Sequence, residues 1–310
     1  MVAQLNIVVG VDGSPESLSA VAWAVARARL TGARVHIVCT YVVAAYSSVA
    51  LDGGYAGLDA DALQRGAQQV IEESVHYASE CDSSVTVTSS IEAGDAAGVL
   101  VDLSAEADLV VVGSRGGGGF VERLFGTVSS ALPAHAQCPV IVVPSHTSGK
   151  SFTPVERIVV GVDGAEKASP ALHYAVDEAV IWDSQLTAVS AVPIATGTGL
   201  LSWAPHVVDH EALMTSMRQG LGALVDATVG DRPLRVARHV LDGSPSSLLI
   251  EFSTAVDLVV VGSRGGGGFA GVLLGSTAHT VLSHSTCPVM IVPAACFDAL
   301  PDTYEWERRH

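Results

Sequence analysis

Two glycine-rich segments are the residues of this sequence best suited to hold a ligand. GSRGGGGFVERLFGT occupies residues 113–127, and the closely related GSRGGGGFAGVLLGS occupies residues 262–276. Each segment lies between an apolar run typical of a strand and a helical pattern. Glycine lets successive backbone N–H groups approach an anion, because it has no Cβ atom. The helix N-terminus that follows adds free amides and a Thr or Ser hydroxyl, so the pattern predicts a phosphate site.

A flexible turn is the alternative that a glycine run alone would suggest, but two copies with the same spacing favour phosphate binding. The spacing excludes two common nucleotide loops. A Walker A loop needs a lysine after its last glycine, and neither segment contains one. Gly266, Gly268 and Gly271 match G-x-G-x-x-G, but Glu122 replaces the last glycine in the first copy, and the match follows a fourth strand. The remaining pattern is G-x2-G-x9-G-[ST].

The chain is a tandem duplication. IVVGVDG at 7–13 returns at 158–164, an offset of 151, and CPVIVVP at 138–144 returns as CPVMIVP at 287–293, an offset of 149. A repeat of about 150 residues predicts a domain rather than one repeat unit of a solenoid. Within each copy, apolar runs alternate with helical patterns, which predicts parallel β-α units covered by helices on both sheet faces.

Strands and helices follow from the same patterns. In the first copy we expect strands near 5–11, 34–41, 84–91, 108–113 and 139–143, and helices near 15–31, 59–81, 95–106 and 127–136. In the second copy we expect strands near 156–163, 185–192, 233–241, 257–262 and 288–292.

Composition excludes several classes of function. The 310 residues are 49% hydrophobic and 15% charged, with a formal net charge of −16. Non-specific binding to nucleic acid or to an anionic membrane surface is therefore not expected. No apolar run reaches the length of about 20 residues that a spanning helix needs, and the N-terminus lacks the basic segment of a signal peptide. We expect a cytoplasmic protein that contacts neither nucleic acid nor membrane.

Metal and nucleophile patterns are weak. The five cysteines include no C-x-x-C pair, which argues against a disulfide framework and a thiolate zinc site. His135 with Cys138, and His284 with Cys287, have ligand spacing, but one pair per domain cannot complete a tetrahedral site. His206 and His210 lack the glutamate of H-E-x-x-H, and no G-x-S-x-G elbow occurs. We predict no metal ligand and no catalytic residue.

The full glycine spacing, the early VGVDG and the late CPV-I-VP strand together resemble the universal stress protein family, in its tandem ATP-binding form. The resemblance covers residues 5–144 and 156–293. It implies two Rossmann-like (HUP-type) α/β domains, each a five-stranded parallel sheet of order 3-2-1-4-5 flanked by helices. We expect the first domain at 1–144, a linker at 145–154, the second domain at 155–293 and a tail at 294–310.

The resemblance also implies which residues hold ATP. In the first copy these are Gly10, Asp12, Thr40, Gly113, Ser114, Arg115, Gly116, Gly117, Gly118, Gly119, Gly126, Thr127 and Val128. In the second copy these are Gly161, Asp163, Ala191, Gly262, Ser263, Arg264, Gly265, Gly266, Gly267, Gly268, Gly275, Ser276 and Thr277. The glycine segments would hold the triphosphate, and the ends of the first and second strands would face adenosine. Asp12 and Asp163 have an alternative role as turn residues that cap the next helix.

The implied function is an ATP-binding regulatory or stress-response module, with Mg²⁺ as the cation expected beside a triphosphate. Two alternatives remain open at this point. One is a slow ATPase or phosphotransferase, for which no lysine or evident base lies near the loops. The other is a stress protein that binds cyclic AMP, or that binds partners without nucleotide. A regulatory protein and a second copy of the tandem chain are the expected protein partners.

Overall fold

The computed structural model describes residues 5–42, 60–114, 126–145, 151–163, 170–192, 210–264 and 274–297. The chain divides into two compact units. The first unit ends at residue 154, except that residues 137–139 belong with the second unit, which begins at residue 155. In the described residues each unit has five strands and four helices.

The first unit alternates strands and helices along the chain. Its elements are β1 (Asn6–Val11), α1 (Pro15–Thr31), β2 (Arg34–Tyr41), α2 (Ala60–Cys81), β3 (Val87–Ala93), α3 (Ala96–Leu103), β4 (Leu109–Gly113), α4 (Thr127–His135) and β5 (Val140–Val143).

The second unit repeats this order. Its elements are β6 (Arg157–Gly161), α5 (Pro170–Trp182), β7 (Gln185–Val192), α6 (His210–Val229), β8 (Val236–Asp242), α7 (Pro245–Ser253), β9 (Leu258–Gly262), α8 (Ser276–His284) and β10 (Val289–Val292). A short 3₁₀ turn, Ala294–Phe297, follows the last strand.

The predicted fold class is confirmed in both units. All strand pairs within a unit are parallel, and the strands lie in the order β3-β2-β1-β4-β5 in the first unit. The second unit has the same arrangement, β8-β7-β6-β9-β10. The strand order reverses between β1 and β4, and between β6 and β9. In open parallel sheets, ligands bind at the carboxyl ends of the strands beside such a reversal.

Helices cover both faces of each sheet. In the first unit α1 packs with α2, and α3 packs with α4, so that each pair forms one layer. In the second unit the layers are α5 with α6 and α7 with α8. Strands β4, β5, β9 and β10 are buried along almost their whole length, which explains their continuous runs of valine, leucine and isoleucine.

The third strand begins later than its sequence predicts. Residues 84–86 precede β3, and Ser84 lies in a turn that the Asp82 carboxylate holds by accepting hydrogen bonds from the backbone N–H and the hydroxyl of Ser84, at 2.9 and 2.6 Å. Helix α3 also ends earlier than predicted, at Leu103. The short side chain of Ser104, which donates to the carbonyl of Val101 at 2.6 Å, competes with further helical turns.

Helices α1 and α5 end at matching positions with different residues. Gly32 follows α1 with φ 69°, and Asp183 follows α5 with φ 54°. A left-handed conformation costs glycine nothing but strains a residue with a Cβ atom. We expect Asp183→Gly to raise the free energy of unfolding by about 0.5 kcal/mol, and Gly32→Asp to lower it by a similar amount. Urea unfolding followed by circular dichroism measures both.

The control is Asp183→Ala, which should lower stability because alanine tolerates a positive φ less well than aspartate. Nothing lies within 4 Å of a Cβ atom built on Gly32, so packing does not confuse the comparison. Unfolding midpoints that are the same for all four proteins would contradict the conformational explanation.

Candidate functional site

The two ends of each glycine segment are joined by a hydrogen bond. In the first unit, the backbone N–H of Gly126 donates to the carbonyl of Ser114 at 3.0 Å, and the N–H of Ser114 donates to Val143 of β5 at 2.8 Å. In the second unit, Gly275 donates to Ser263 at 2.7 Å. The N–H of Ser263 donates to the carbonyl at the end of β10, also at 2.8 Å. The end of the fourth strand and the start of the next helix are therefore held together in both units.

The predicted residues between these ends lie outside the described part of the chain. They are Arg115, Gly116, Gly117, Gly118 and Gly119 in the first copy, and Gly265, Gly266, Gly267 and Gly268 in the second. Arg264, at the edge of the second segment, is described and exposed. Two residues earlier, a Cβ atom on Gly262 would make a tight contact, 3.1 Å from the carbonyl oxygen of Arg264.

Helices α4 and α8 begin with N-termini that no side chain caps. Gly126 and Gly275 occupy the cap positions with φ, ψ of −69°, 153° and −66°, 152°. By contrast, the Ser14 hydroxyl accepts from the N–H of Ser17 at the start of α1, and the Asp95 carboxylate accepts from Gly98 at the start of α3. First-turn amides and the positive end of the helix dipole suit an anion.

Four of the residues predicted to hold phosphate lie in the first turn of these helices: Thr127, Val128, Ser276 and Thr277. Val128 and Thr277 are half-buried, and Ser276 is exposed. A residue that the sequence analysis missed also contributes. The Ser129 hydroxyl donates to the carbonyl of Ser114 at 2.9 Å and contacts the carbonyl of Gly126 at 3.2 Å, which ties the segment ends together again. The second unit has a buried alanine at this position, so the repeat itself gave no signal.

Gly113 brings β4 against the first turn of α1. A Cβ atom on Gly113 would lie 2.8 Å from the backbone carbon of Glu16 and 2.9 Å from its Cβ. Real Cβ atoms do not approach this closely, so the conformation requires glycine. The contact places Glu16 at the base of the first glycine segment, a position that the sequence motif did not indicate.

Gly10 and Gly161 owe their residue type to helix packing. A Cβ atom on Gly10 would lie 2.9 Å from Cδ1 of Leu100 in α3, and one on Gly161 would lie 2.8 Å from Cδ1 of Leu249 in α7. Both glycines lie near the carboxyl end of the first strand of their unit, the place that the resemblance implies for the nucleoside end of a site. The glycines let α3 and α7 pack closely over the sheet.

Asp12 organises the turn into α1. Its Oδ1 accepts hydrogen bonds from the backbone N–H of Ser14 at 3.1 Å and from the Ser14 hydroxyl at 2.6 Å. The sequence allowed Asp12 a structural role as a turn residue that caps the next helix. In the structure Asp12 holds the turn, and the side chain that caps α1 is Ser14. The carboxylate is nevertheless exposed at the carboxyl edge of the sheet, as is that of Asp163 in the second unit.

The ends of β2 and β7 hold the residues predicted to face adenosine. Thr40 and Ala191 are both half-buried. Next to Thr40, the Cys39 thiol is buried, and burial, followed by the nearby Asp12 carboxylate, raises its pKa. Thr40 lies opposite Glu92 of β3 in the strand register. Burial and the Arg34 guanidinium lower the pKa of His36, while the Glu92 carboxylate acts in the opposite direction.

The histidines that the sequence analysis considered as metal ligands make local contacts. His135 Nδ1 lies 3.1 Å from the carbonyl of Ala131, and His284 Nδ1 lies 3.0 Å from that of Thr280, each within its own helix. His210 Nε2 lies 3.1 Å from Asp242 Oδ1, and His206 is outside the described residues. Within the described ranges, no group of three or more His, Cys, Asp or Glu side chains could hold a metal ion.

None of the described helices combines the length and apolar character that crossing a bilayer requires.

Comparison with known proteins gives a consistent result. The model of the Universal stress protein family matches residues 5–144 and again 154–293. Universal stress protein Rv2623 of Mycobacterium tuberculosis is 33% identical over 298 residues, covering 93% of this chain and 96% of the relative. Universal stress protein Mb2019 of Mycobacterium bovis is 32% identical over 312 residues, covering 96% and 98%.

A solved structure supports the fold. The crystal structure of a universal stress protein from Archaeoglobus fulgidus superposes with a TM-score of 0.65 at 20% sequence identity. The superposition covers 93% of this chain and 96% of that one. At this level of identity the similarity concerns the fold alone.

The hydrogen bonds that Asp12 accepts from Ser14 predict a stability effect that is separate from any ligand. We expect Asp12→Ala to lower the free energy of unfolding by about 1 kcal/mol, because Ser14 loses the acceptor that orients it. Asp12→Asn keeps an acceptor oxygen at this position and should lose less. Urea unfolding without nucleotide measures both variants; equal, wild-type stability of Asp12→Ala would show that the turn does not depend on this carboxylate.

Thiol reactivity tests the placement of the cysteines. Four of the five are buried, and Cys81 is exposed at the end of α2. Burial raises the pKa of Cys287 to about 12 and that of Cys296 to about 11, so both thiols stay protonated at pH 8. Burial raises the pKa of the Cys81 thiol as well, so exposure is what distinguishes it from the other four. We expect Ellman's reagent to modify this one thiol faster than the others at pH 8 in the native protein, and Cys81→Ser to abolish this fast phase.

The denatured protein is the control, in which all five thiols should react. Two or more fast thiols in the native protein would contradict the buried placement.

Proposed function

The chain belongs to the universal stress protein family, and on that basis we propose that it binds ATP, one molecule in each unit, as a regulatory module of the stress response. The observation that carries the proposal is the uncapped helix N-terminus joined by a hydrogen bond to the end of the fourth strand. This arrangement occurs in both units. Main-chain amides, rather than a lysine, would then hold the phosphates.

Energetics support a role for these amides. A dissociation constant of 1 µM corresponds to about 8 kcal/mol, and a hydrogen bond to a charged group contributes about 1.5–3 kcal/mol. About four to six such bonds reach the required scale once association costs are subtracted. The first turn of each helix and the adjoining glycine segment contain enough backbone N–H groups for this number.

The net charge of −16 opposes ATP only weakly. The Debye length is about 8 Å at physiological salt, so distant carboxylates are screened and groups next to the phosphates decide the affinity. Arg264 is exposed at the base of the second segment and is available to a phosphate. Because the described residues offer no cluster of carboxylates, Mg²⁺ would be held chiefly by the phosphates and water rather than by a protein cage.

At the nucleoside end, we propose that Asp12 and Thr40 face adenosine in the first unit, with Asp163 and Ala191 in the second. Gly10 and Gly161 would serve this end indirectly, by allowing α3 and α7 to pack close to the strands. We propose residues 1–144 and 155–293 as the two domains, 145–154 as their linker and 294–310 as a tail.

Regulation would follow from the free energy of binding. A ligand present at 100 times its dissociation constant stabilises the conformation that binds it by about 2.7 kcal/mol. This free energy is enough to change the population of a conformation whose surface contacts a regulatory protein or a second copy of the chain, provided that the two conformations differ in affinity for ATP. Reduced thiols and ATP as the ligand suit a cytoplasmic protein.

The role of the amides can be tested by deleting one from each helix. Proline is well tolerated at the first position of a helix, yet it has no N–H. Gly126 and Gly275 already have the extended ψ that a residue before proline requires. We expect Thr127→Pro and Ser276→Pro each to weaken ATP binding at their own site by about tenfold or more. Calorimetric titration of the full chain measures both sites.

The matched controls are Thr127→Ala and Ser276→Ala, which remove the hydroxyl but keep the amide and should weaken binding less. Circular dichroism and thermal unfolding check that α4 and α8 remain. Proline variants that bind ATP as the wild type does would contradict a main-chain phosphate site.

A second experiment identifies the ligand by mass analysis of the nucleotide that the protein releases on denaturation, and by competition between ATP and cyclic AMP. If no adenine nucleotide is released and titration shows no binding, the proposed function itself is contradicted.

A further inference from the structure

The carboxyl ends of the second and third strands differ chemically between the two units. In the first unit Thr40 of β2 lies directly opposite Glu92 of β3. In the second unit the matching pair is Ala191 of β7 opposite Leu241 of β8. All four residues are half-buried. A hydroxyl and a carboxylate in one unit thus correspond to two apolar side chains in the other.

Thr40 and Glu92 lie on the sheet face that carries α3 and α4. A Cβ atom built on Gly10 would point towards Leu100 of α3, which assigns Gly10 to that face. Val38 is the register partner of Gly10 and therefore belongs to the same face. Side chains two residues apart on a strand share a face, which places Thr40 there as well. Glu92 shares it because it is the register partner of Thr40, and register partners on adjacent strands of a pleated sheet point to the same side.

The location of this pair suits the sugar of a nucleotide. Phosphates at the N-terminus of α4 would lie beyond the end of β4, which is followed across the sheet by β1, β2 and β3. Neighbouring strands are about 4.8 Å apart, so the end of β3 lies about 14 Å from that of β4. A nucleotide extending from β4 across β1 brings its nucleoside to β2, within reach of a side chain on β3.

Building on the proposed function, we propose that Glu92, beside Thr40, accepts a hydrogen bond from a ribose hydroxyl in the first unit, so that this site selects ribonucleotides, whereas Leu241 and Ala191 leave the second site indifferent to the sugar. A carboxylate accepts hydrogen bonds from vicinal hydroxyls with good geometry, as acidic residues do at the strand ends of dinucleotide-binding sheets. An apolar pair can only contact the ring.

The selectivity should be large enough to separate the two sites. A site built to hydrogen-bond a hydroxyl discriminates strongly against an analogue without it, because the carboxylate is left desolvated and unpaired. A hydrogen bond to a charged group corresponds to about tenfold to hundredfold in affinity. An apolar pocket discriminates far less between such analogues.

The test compares ATP with 2′,3′-dideoxy-ATP by calorimetric titration of the nucleotide-free full chain in Mg²⁺ buffer. We expect ATP to fill two sites. The dideoxy analogue should fill one site with an affinity close to that of ATP and the other at least about tenfold more weakly. Glu92→Leu, which copies the second repeat, should bring the affinity ratio of the two ligands at the first site close to one.

The reciprocal variant, Leu241→Glu, should create a preference for ATP at the second site. Glu92→Gln keeps the shape of the side chain and should reduce the preference partly, so it replaces Glu92→Leu if the latter fails to fold. Glu106→Gln, an exposed change elsewhere in the first unit, is the matched charge control.

A purely structural role of Glu92 would change the stability of the protein and would leave the ratio of the two affinities as it is. Equal affinity for both ligands at both wild-type sites, or a ratio that Glu92→Leu leaves unchanged, would overturn the proposal. Binding of neither ligand would instead contradict the proposed function, and this inference with it.

Discussion

Each site depends on one hydrogen bond. It joins the carbonyl of the residue after the fourth strand to the N–H of the residue that caps the next helix. It joins Ser114 to Gly126 and Ser263 to Gly275. Because of this bond, the residue that caps each helix lies directly against the residue that follows the fourth strand. The helix N-terminus then lies at the carboxyl edge, where the strand order reverses and a ligand can enter. With glycine at the cap position, no side chain caps the first amides of either helix.

The two repeats keep this constraint and change its surroundings. In the first unit, Ser129 reinforces the joined ends, and Glu16 lies against Gly113. The second repeat has alanine in place of that serine and Lys167 in place of that glutamate. Duplication thus preserved the geometry that positions amides and allowed side-chain chemistry around it to diverge. Two sites of one ancestry can therefore differ in affinity and in selectivity.

The sequence predicts the fold well because its signals are local and occur twice. Apolar runs predict the strands of both units, helical patterns predict the helices of the first, and the duplication predicts two domains. The exceptions are also local: Asp82 delays β3 by forming a turn with Ser84, a polar interaction that a hydrophobic pattern does not register.

The site was predictable only in part, because its geometry joins residues that are distant in the chain. The motif indicated the glycines, but the close approach of the Leu100 side chain to Gly10 depends on how α3 packs, since Leu100 is 90 residues away in the chain. The pairing of Thr40 with Glu92 likewise depends on strand register, which the sequence does not state. The uncapped helix, by contrast, follows directly from glycine at the cap position.

The most direct test of the central claim is a titration of the isotope-labelled chain with ATP, followed by NMR of the backbone amides. We expect the amide resonances of Thr127, Val128, Ser276 and Thr277 to move and to saturate at one ATP per unit, since these N–H groups would donate to phosphate. Saturable binding of ATP that shifts other resonances and leaves the first-turn amides of α4 and α8 unchanged would contradict it.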